Sequence, residues 1–152
     1  MTEPAFHTIH ASAVLLGSSA VLIRGPSGSG KSQLAFDLMA AGGAPPWPPA
    51  RLVGDDQVVL QAANGRLLVS PAAPLAGLIE IRGLGIRRCP HEARAPVGLI
   101  IDLNADDADR MPQPESLATI INGVKIPRLP VARAADPRRL ILAWLLTEAA
   151  GN

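Results

Sequence analysis

Gly25-Pro26-Ser27-Gly28-Ser29-Gly30-Lys31-Ser32 spells G-x-x-x-x-G-K-S, and no other stretch of the 152-residue chain constrains the fold so tightly. A glycine-rich loop of this form turns backbone N–H groups toward phosphate oxygens, and the helix it opens adds the positive end of its dipole. The flanking sequence supplies what that geometry needs. Ala20-Val21-Leu22-Ile23 is a short apolar run suited to a buried strand. From Ser32 to Met39, residues Leu34, Ala35, Leu38 and Met39 fall on one helical face, and Gly42-Gly43 provides a stop. Strand, loop and helix in this order predict a P-loop. Gly25, Pro26, Ser27, Gly28, Ser29, Gly30, Lys31 and Ser32 would hold the phosphates of ATP. Lys31, one of only two lysines, would reach the β- and γ-phosphates, and the Ser32 hydroxyl would ligate Mg²⁺.

Composition narrows the remaining classes. At 48 % hydrophobic and 18 % charged residues the chain is globular, and its length suits one domain over 1–152. Aromatics are 3 % with no tyrosine, so the core must rest on Leu, Ile, Val and Ala, and stacking platforms for single-stranded nucleic acid are lacking. A formal charge of +1 gives no electrostatic pull toward DNA or an anionic membrane. Cys89 is the lone cysteine, so no intrachain disulfide forms, and with His91 it falls short of a metal site. Met1 to His10 carries Glu3 and no apolar core of signal-peptide length, and no run approaches membrane-spanning length. The expectation is a soluble cytoplasmic protein that engages neither nucleic acid nor membrane.

Around the P-loop the chain reads as α/β. Ile9 to Leu16 alternates loosely as a first strand, turned by Gly17-Ser18-Ser19 into the P-loop strand. Ala44 to Ala50 holds four prolines and must be a loop, with Trp47 packed onto the surface. Asn64-Gly65 between Val58–Gln61 and Arg66–Val69 signals a hairpin. Leu99 to Leu103 is a buried strand, whereas Val124–Pro127 and Leu129–Val131 suggest edge strands, where proline is tolerated. Asp136 fits the N-cap and Pro137 the first position of a last helix. Its residues Leu140, Ile141, Trp144, Leu145 and Glu148 share a stripe expected to lie on the sheet, with Gly151 as the stop.

A P-loop alone specifies phosphates, and transfer chemistry also needs carboxylates near the terminal phosphate. Three places compete. Asp102 closes Leu99-Ile100-Ile101 in the manner of a Walker B aspartate; Asp55-Asp56 follows the apolar Leu52-Val53; Glu80 stands between Ile79 and Ile81. If the strand continued through them, Asp55 and Asp56 would point to opposite faces, one toward nucleotide and one toward the fold. Alternation does not settle whether Glu80 faces solvent or a site.

Gly25–Ser32, Arg51-Leu52-Val53-Gly54-Asp55-Asp56 and Ile79-Glu80-Ile81-Arg82-Gly83-Leu84-Gly85-Ile86, in that order, resemble the catalytic domain of HPr kinase/phosphorylase from about His10 onward. The resemblance implies a P-loop kinase fold of the HPr kinase and PEP carboxykinase type, a mixed sheet with flanking helices. It implies ATP- and Mg²⁺-dependent phosphorylation of a serine on the phosphocarrier HPr, reversed in many members by phosphorolysis. Asp55 then matches the proton acceptor, Asp56 its neighbour near the metal, Ser32 and Glu80 the Mg²⁺ ligands and Lys31 the P-loop lysine. His10 matches a family histidine and Arg110 an active-site arginine, and the family forms homo-oligomers (hexamers). The chain departs from the pattern in three places. Met1 to Ile9 leaves no room for the N-terminal domain members commonly carry, so a truncated form is expected. Gly43–Ala50 looks inserted. The late P-V-x-P-G-R-N loop, associated with dephosphorylation, is not reproduced in Leu129 to Arg139. Two other readings stay open: a small-molecule kinase, disfavoured by the lack of an arginine-rich lid, and a non-catalytic nucleotide-sensing module.

Overall fold

Alternating side chains along the P-loop strand pack into two different cores, and this sets the layering. The computed structural model describes residues 6–150. Its strands are β1 (Phe6–Ile9), β2 (Ser12–Leu16), β3 (Ser19–Arg24), β4 (Ala50–Gly54), β5 (Val58–Ala63), β6 (Arg66–Pro71), β7 (Leu78–Ile81), β8 (Gly85–Arg88), β9 (Ala95–Leu103), β10 (Ala118–Ile121) and β11 (Val124–Val131). The helices are α1 (Lys31–Ala41) and α2 (Pro137–Leu146). The main sheet runs β1-β5-β6-β9-β3-β2-β4, with β11 also on β9 and β10 on β11; β7 and β8 form a separate hairpin. P-loop strand β3 lies parallel to β9, and β9 parallel to β11, while β2 runs antiparallel between β3 and β4. The sheet is mixed, as expected.

Val21 and Ile23 of β3 join Leu99, Ile101, Leu129 and Val131 against Leu34, Ala35 and Leu38 of α1 and Ile141 of α2. Ala20 and Leu22 point the other way, with Ile100 and Ile126, onto Val58, Leu60, Leu67 and Val69. A sheet buried on both faces needs apolar residues at every position, which explains the uninterrupted runs in β3 and β9. Both helices pack into the first core, while the β1-β5-β6 layer covers the opposite face. Strand β9 links the layers: Ala95 and Pro96 pair with β6, and Val97 to Asp102 with β3.

Helix α1 forms where its sequence favours it, in a run of Lys, Gln, Leu, Ala and Met. The Gly42 N–H donates to the Leu38 carbonyl at 3.0 Å and ends it. The Asn64-Gly65 hairpin is present, with φ of 52° and 76° in a two-residue turn. Trp47 packs partly buried against the α1-side core.

Four local expectations are corrected. Ile9 to Leu16 is not one strand: the chain breaks at His10-Ala11, so β1 joins β5 while β2 joins β3 and β4. The two proline-bearing edge strands are one strand, β11. Its first half pairs only with β10 and its second half only with β9, so each proline still has an unpaired side. Asn122-Gly123, with φ of 50° and 80°, makes a second two-residue hairpin that the sequence reading passed over. Helix α2 ends at Leu146, before Glu148, and Gly151 lies outside the described residues. Only Ile141 of α2 is buried; Trp144 and Leu146 are 39 % and 60 % exposed. The helix meets α1 and β11 along one side, too narrow a contact to cover its whole apolar stripe.

Candidate phosphate-binding and catalytic site

The loop between β3 and α1 owes its shape to three glycines used in two ways. Gly28 and Gly30 take φ of 81° and 98°, where a side chain is strained. A Cβ on Gly25 would stand 2.5 Å from the Ser29 Oγ and 3.0 Å from the Leu103 Cβ, so packing excludes any side chain there. Gly30 caps α1 without a side-chain hydrogen bond, leaving the first-turn N–H groups open toward the loop. The Lys31 ammonium reaches back across the loop, donating to the Gly25 and Pro26 carbonyls at 2.8 and 3.2 Å. Ser29 Oγ is buried without a partner, an unmet polar group in the wall of an anion cradle.

Three donors converge on Asp55, one of two buried polar or charged residues among the described residues, at 3 % exposure. The Ser32 hydroxyl donates to its carboxylate at 2.7 Å from Oδ1 and 2.9 Å from Oδ2. The Ser12 hydroxyl donates to Oδ1 at 2.6 Å, and the Glu80 backbone N–H to Oδ2 at 3.0 Å. Asp55 thereby ties the P-loop helix, β2 and the β7–β8 hairpin together. Sequence reasoning missed Ser12; its only signal is a hydroxyl between inward-facing alanines at the start of an apolar strand.

Asp56 has the opposite setting. It is exposed, has φ of 68°, and is spanned by the Gln57 N–H donating to the Asp55 carbonyl at 2.8 Å. That is a γ-type turn with a left-handed, non-glycine residue at its centre, a strained arrangement. The two acids therefore diverge by a turn rather than by strand pleating. The Ala11 N–H donates to the Asp56 carbonyl at 3.2 Å, which brings exposed His10 alongside. His10 and Arg24 both line an open groove of about 390 Å³. The Glu80 side chain is exposed while its N–H holds Asp55. Arg110 is exposed in the loop after β9 and makes no hydrogen bond or ion pair among the described residues.

Asp102, the Walker-B-like candidate, is engaged elsewhere. Arg24 grips it through hydrogen bonds of 2.7 Å to Oδ1 and 2.8 Å to Oδ2, and the Arg128 Nε donates to Oδ2 as well. Arg128 continues to Asp107, at 2.7 Å, and to the Ser116 carbonyl, at 2.8 Å. Burial pulls the Asp102 carboxyl up, but hydrogen bonds and charge from Arg24 and Arg128 outweigh it and hold Asp102 below the usual carboxylate range. Hydrogen bonding to Arg128 likewise lowers Asp107. Asp102 is thus a structural tie between β3, β9 and β11. Cys89 is a spectator: burial, and then the Asp55 charge, push its thiol up and away from the reactive thiolate.

The donor set fits Mg²⁺. With its proton committed to Asp55, the Ser32 Oγ keeps its lone pairs for a cation, and Glu80 is tethered beside it by its own N–H. No group of three or more His, Cys, Asp or Glu side chains forms a preformed metal site among the described residues. Mg²⁺ does not require one, being held by one or two carboxylates with substrate phosphates. No helix of the described residues is long and apolar enough to cross a membrane.

Comparison with known proteins finds relatives over most of the chain. Residues 5–147 match the family model for the HPr Serine kinase C-terminal domain. HPr kinase/phosphorylase of Mycoplasma mycoides is 30 % identical over 139 residues, covering 83 % of this chain and 42 % of that protein. The same enzyme of Clostridium tetani is 40 % identical over 70 residues, or 46 % of this chain and 21 % of its own. The chain thus spans less than half the length of these curated relatives. Among solved structures, the Hpr(Ser) kinase/phosphatase from Coxiella burnetii aligns with a TM-score of 0.71 at 27 % identity, covering 92 % of this chain and 93 % of that one.

Proposed function

Because the chain belongs to the HPr serine kinase C-terminal domain family, we propose that it transfers the γ-phosphoryl group of ATP to a serine of an HPr-type phosphocarrier protein. The observation that carries this reading is the Ser32 hydroxyl hydrogen-bonded to buried Asp55 at the mouth of the P-loop. That pair prepares a cation site at the point where the terminal phosphates arrive. Bound there, Mg²⁺ would offset charge on the β- and γ-phosphates. Ser32 and Glu80 are its proposed ligands, and Lys31 pairs with the same phosphates.

Geometry favours exchanging the roles that the resemblance gives to the two aspartates. Both Asp55 oxygens are engaged by three donors and the residue is 3 % exposed, which favours a holding role over accepting a proton from a substrate hydroxyl. Asp56 is exposed, strained and beside His10. We assign Asp55 to holding Ser32 on the metal side and Asp56 to accepting the serine proton. The serine oxygen then bonds to the γ-phosphorus, the bond to the β–γ bridging oxygen breaks, and ADP leaves. His10 orients Asp56, and Arg110 offsets charge on the transferred group. The reaction belongs in the cytoplasm, and a homo-oligomer assembled through the exposed apolar face of α2 is part of the same reading. The loop after β11 differs from the family's dephosphorylation loop, so the forward reaction dominates. Incubation with ATP, Mg²⁺ and purified HPr, followed by mass spectrometry, tests the proposal. Phosphoserine on HPr supports it; ATP binding without transfer to HPr contradicts it.

A further inference from the structure

Ser12, the other buried polar residue among those described, stands fully enclosed between Ala11 and Ala13 at the head of β2. A buried hydroxyl costs free energy unless it is hydrogen-bonded. Its partner is chosen by a shift in strand pairing. Val14 of β2 lies opposite Leu52 of β4, but Ala13 lies opposite Gly54, so Val53 has no partner of its own. An extra residue of this kind re-aims the side chains beyond it. In an unbroken register Ser12 would meet Gly54, which has no side chain to offer. With Val53 left over, the next position is Asp55, and the Ser12 hydroxyl donates to its Oδ1 at 2.6 Å. That same oxygen takes the Ser32 hydroxyl at 2.7 Å. On its other side Ser12 pairs with Ile23 of β3, two residues before the P-loop begins at Gly25. The preceding Ala11 N–H donates to the Asp56 carbonyl, so the short connection from β1 to β2 grips both acids.

From this we infer that Ser12 is a positioning residue for the cation site. Its hydroxyl fixes the Asp55 carboxylate in the orientation that takes the Ser32 proton, which leaves the Ser32 Oγ lone pairs to Mg²⁺. The inference rests on the Mg²⁺ reading above and adds a residue that, being enclosed, acts only through Asp55. The other two donors do not replace it. The Glu80 N–H holds only Oδ2, and the Ser32 hydroxyl is itself the group to be aimed. Partners that orient a metal site from behind its ligands are typically worth about 10–100-fold in metal affinity.

Titration calorimetry of the whole chain with ATP, run once in Mg²⁺ and once in EDTA, tests this. Mg²⁺ is expected to strengthen ATP binding by the wild type. In Ser12→Ala, affinity in EDTA should match the wild type, while affinity in Mg²⁺ should fall about ten-fold. Ser12→Thr, which keeps the hydroxyl, should retain most of the gain from Mg²⁺. A Ser12→Ala protein that gains as much from Mg²⁺ as the wild type overturns the inference. So does an equal loss in Mg²⁺ and in EDTA, the mark of a purely structural residue. A folded Ser12→Thr that loses as much as Ser12→Ala also overturns it. Wild-type ATP binding indifferent to Mg²⁺ overturns the cation site itself, and absence of ATP binding overturns the P-loop reading. Thermal melting without ligand shows which variants fold, and where Ser12→Thr does not, the two Ser12→Ala titrations decide.

Discussion

Asp55 and Asp56 are neighbours in sequence with opposite surroundings, and single substitutions separate their roles. Asp56→Asn is expected to lower the rate of phosphoryl transfer to HPr by about 10²–10⁴, with nucleotide affinity and melting temperature held. Unchanged turnover would remove Asp56 from proton transfer. Asp55→Asn replaces one of the two acceptor oxygens with an amide N–H₂, which then faces the Ser32 hydroxyl and either the Ser12 hydroxyl or the Glu80 N–H. It should destabilise the fold by about 1–3 kcal/mol and weaken Mg²⁺-dependent ATP binding, as read by denaturant unfolding and calorimetry. Gly25→Ala tests packing beneath the loop: its methyl group meets Ser29 and Leu103, so ATP affinity and stability should fall together. If only one of the two falls, the glycine is not the shared cause. The glycine motif is legible in sequence because its conformation is local, whereas the division of labour between the acids is not. It depends on a γ-type turn and on Ser12, 43 residues away.

Among the elements, three strand ends and a loop depend on Asp102. Arg24 leads directly into the P-loop from β3, and Arg128 of β11 carries the network on to Asp107, in the loop that holds Arg110. The Asp102 side chain is 17 % exposed, so Asp102→Asn, which leaves two guanidinium groups without their carboxylate, should destabilise by about 3 kcal/mol. The acid limb has a defined sign. A carboxyl held below its unfolded value contributes fully above that value, about pH 3.9, and loses its contribution as pH falls through the lower folded value. Melting temperature below about pH 4 should therefore fall more steeply for the wild type than for Asp102→Asn. Parallel curves would show that the network does not contribute. From sequence, Asp102 looked like a metal partner because it ends a buried strand. The arginines that claim it lie 78 and 26 residues away, beyond the reach of any local pattern.

Across the whole molecule, helices cover one face of the central sheet and a β-layer covers the other, yet α2 leaves Leu140, Trp144, Leu145 and Leu146 exposed. An apolar face of that kind, left uncovered, marks an association surface. Under the homo-oligomer proposal, light scattering should give a mass above that of the 15.8 kDa chain for the wild type and a lower one for Trp144→Glu. A monomeric wild type at micromolar concentration would refute it. The amino-acid sequence by itself determined the P-loop, helix α1 with its glycine stop, the Asn64-Gly65 hairpin, the Asp136 cap and an α/β fold. Each of these is written in short-range conformational preference or in the period of apolar residues. Only the tertiary structure decided which face the helices occupy, which carboxylate is free and which is bound, and that β11 is continuous. Those outcomes depend on strands far apart in the chain meeting side by side, where burial and hydrogen bonding, rather than local propensity, set the environment of each residue.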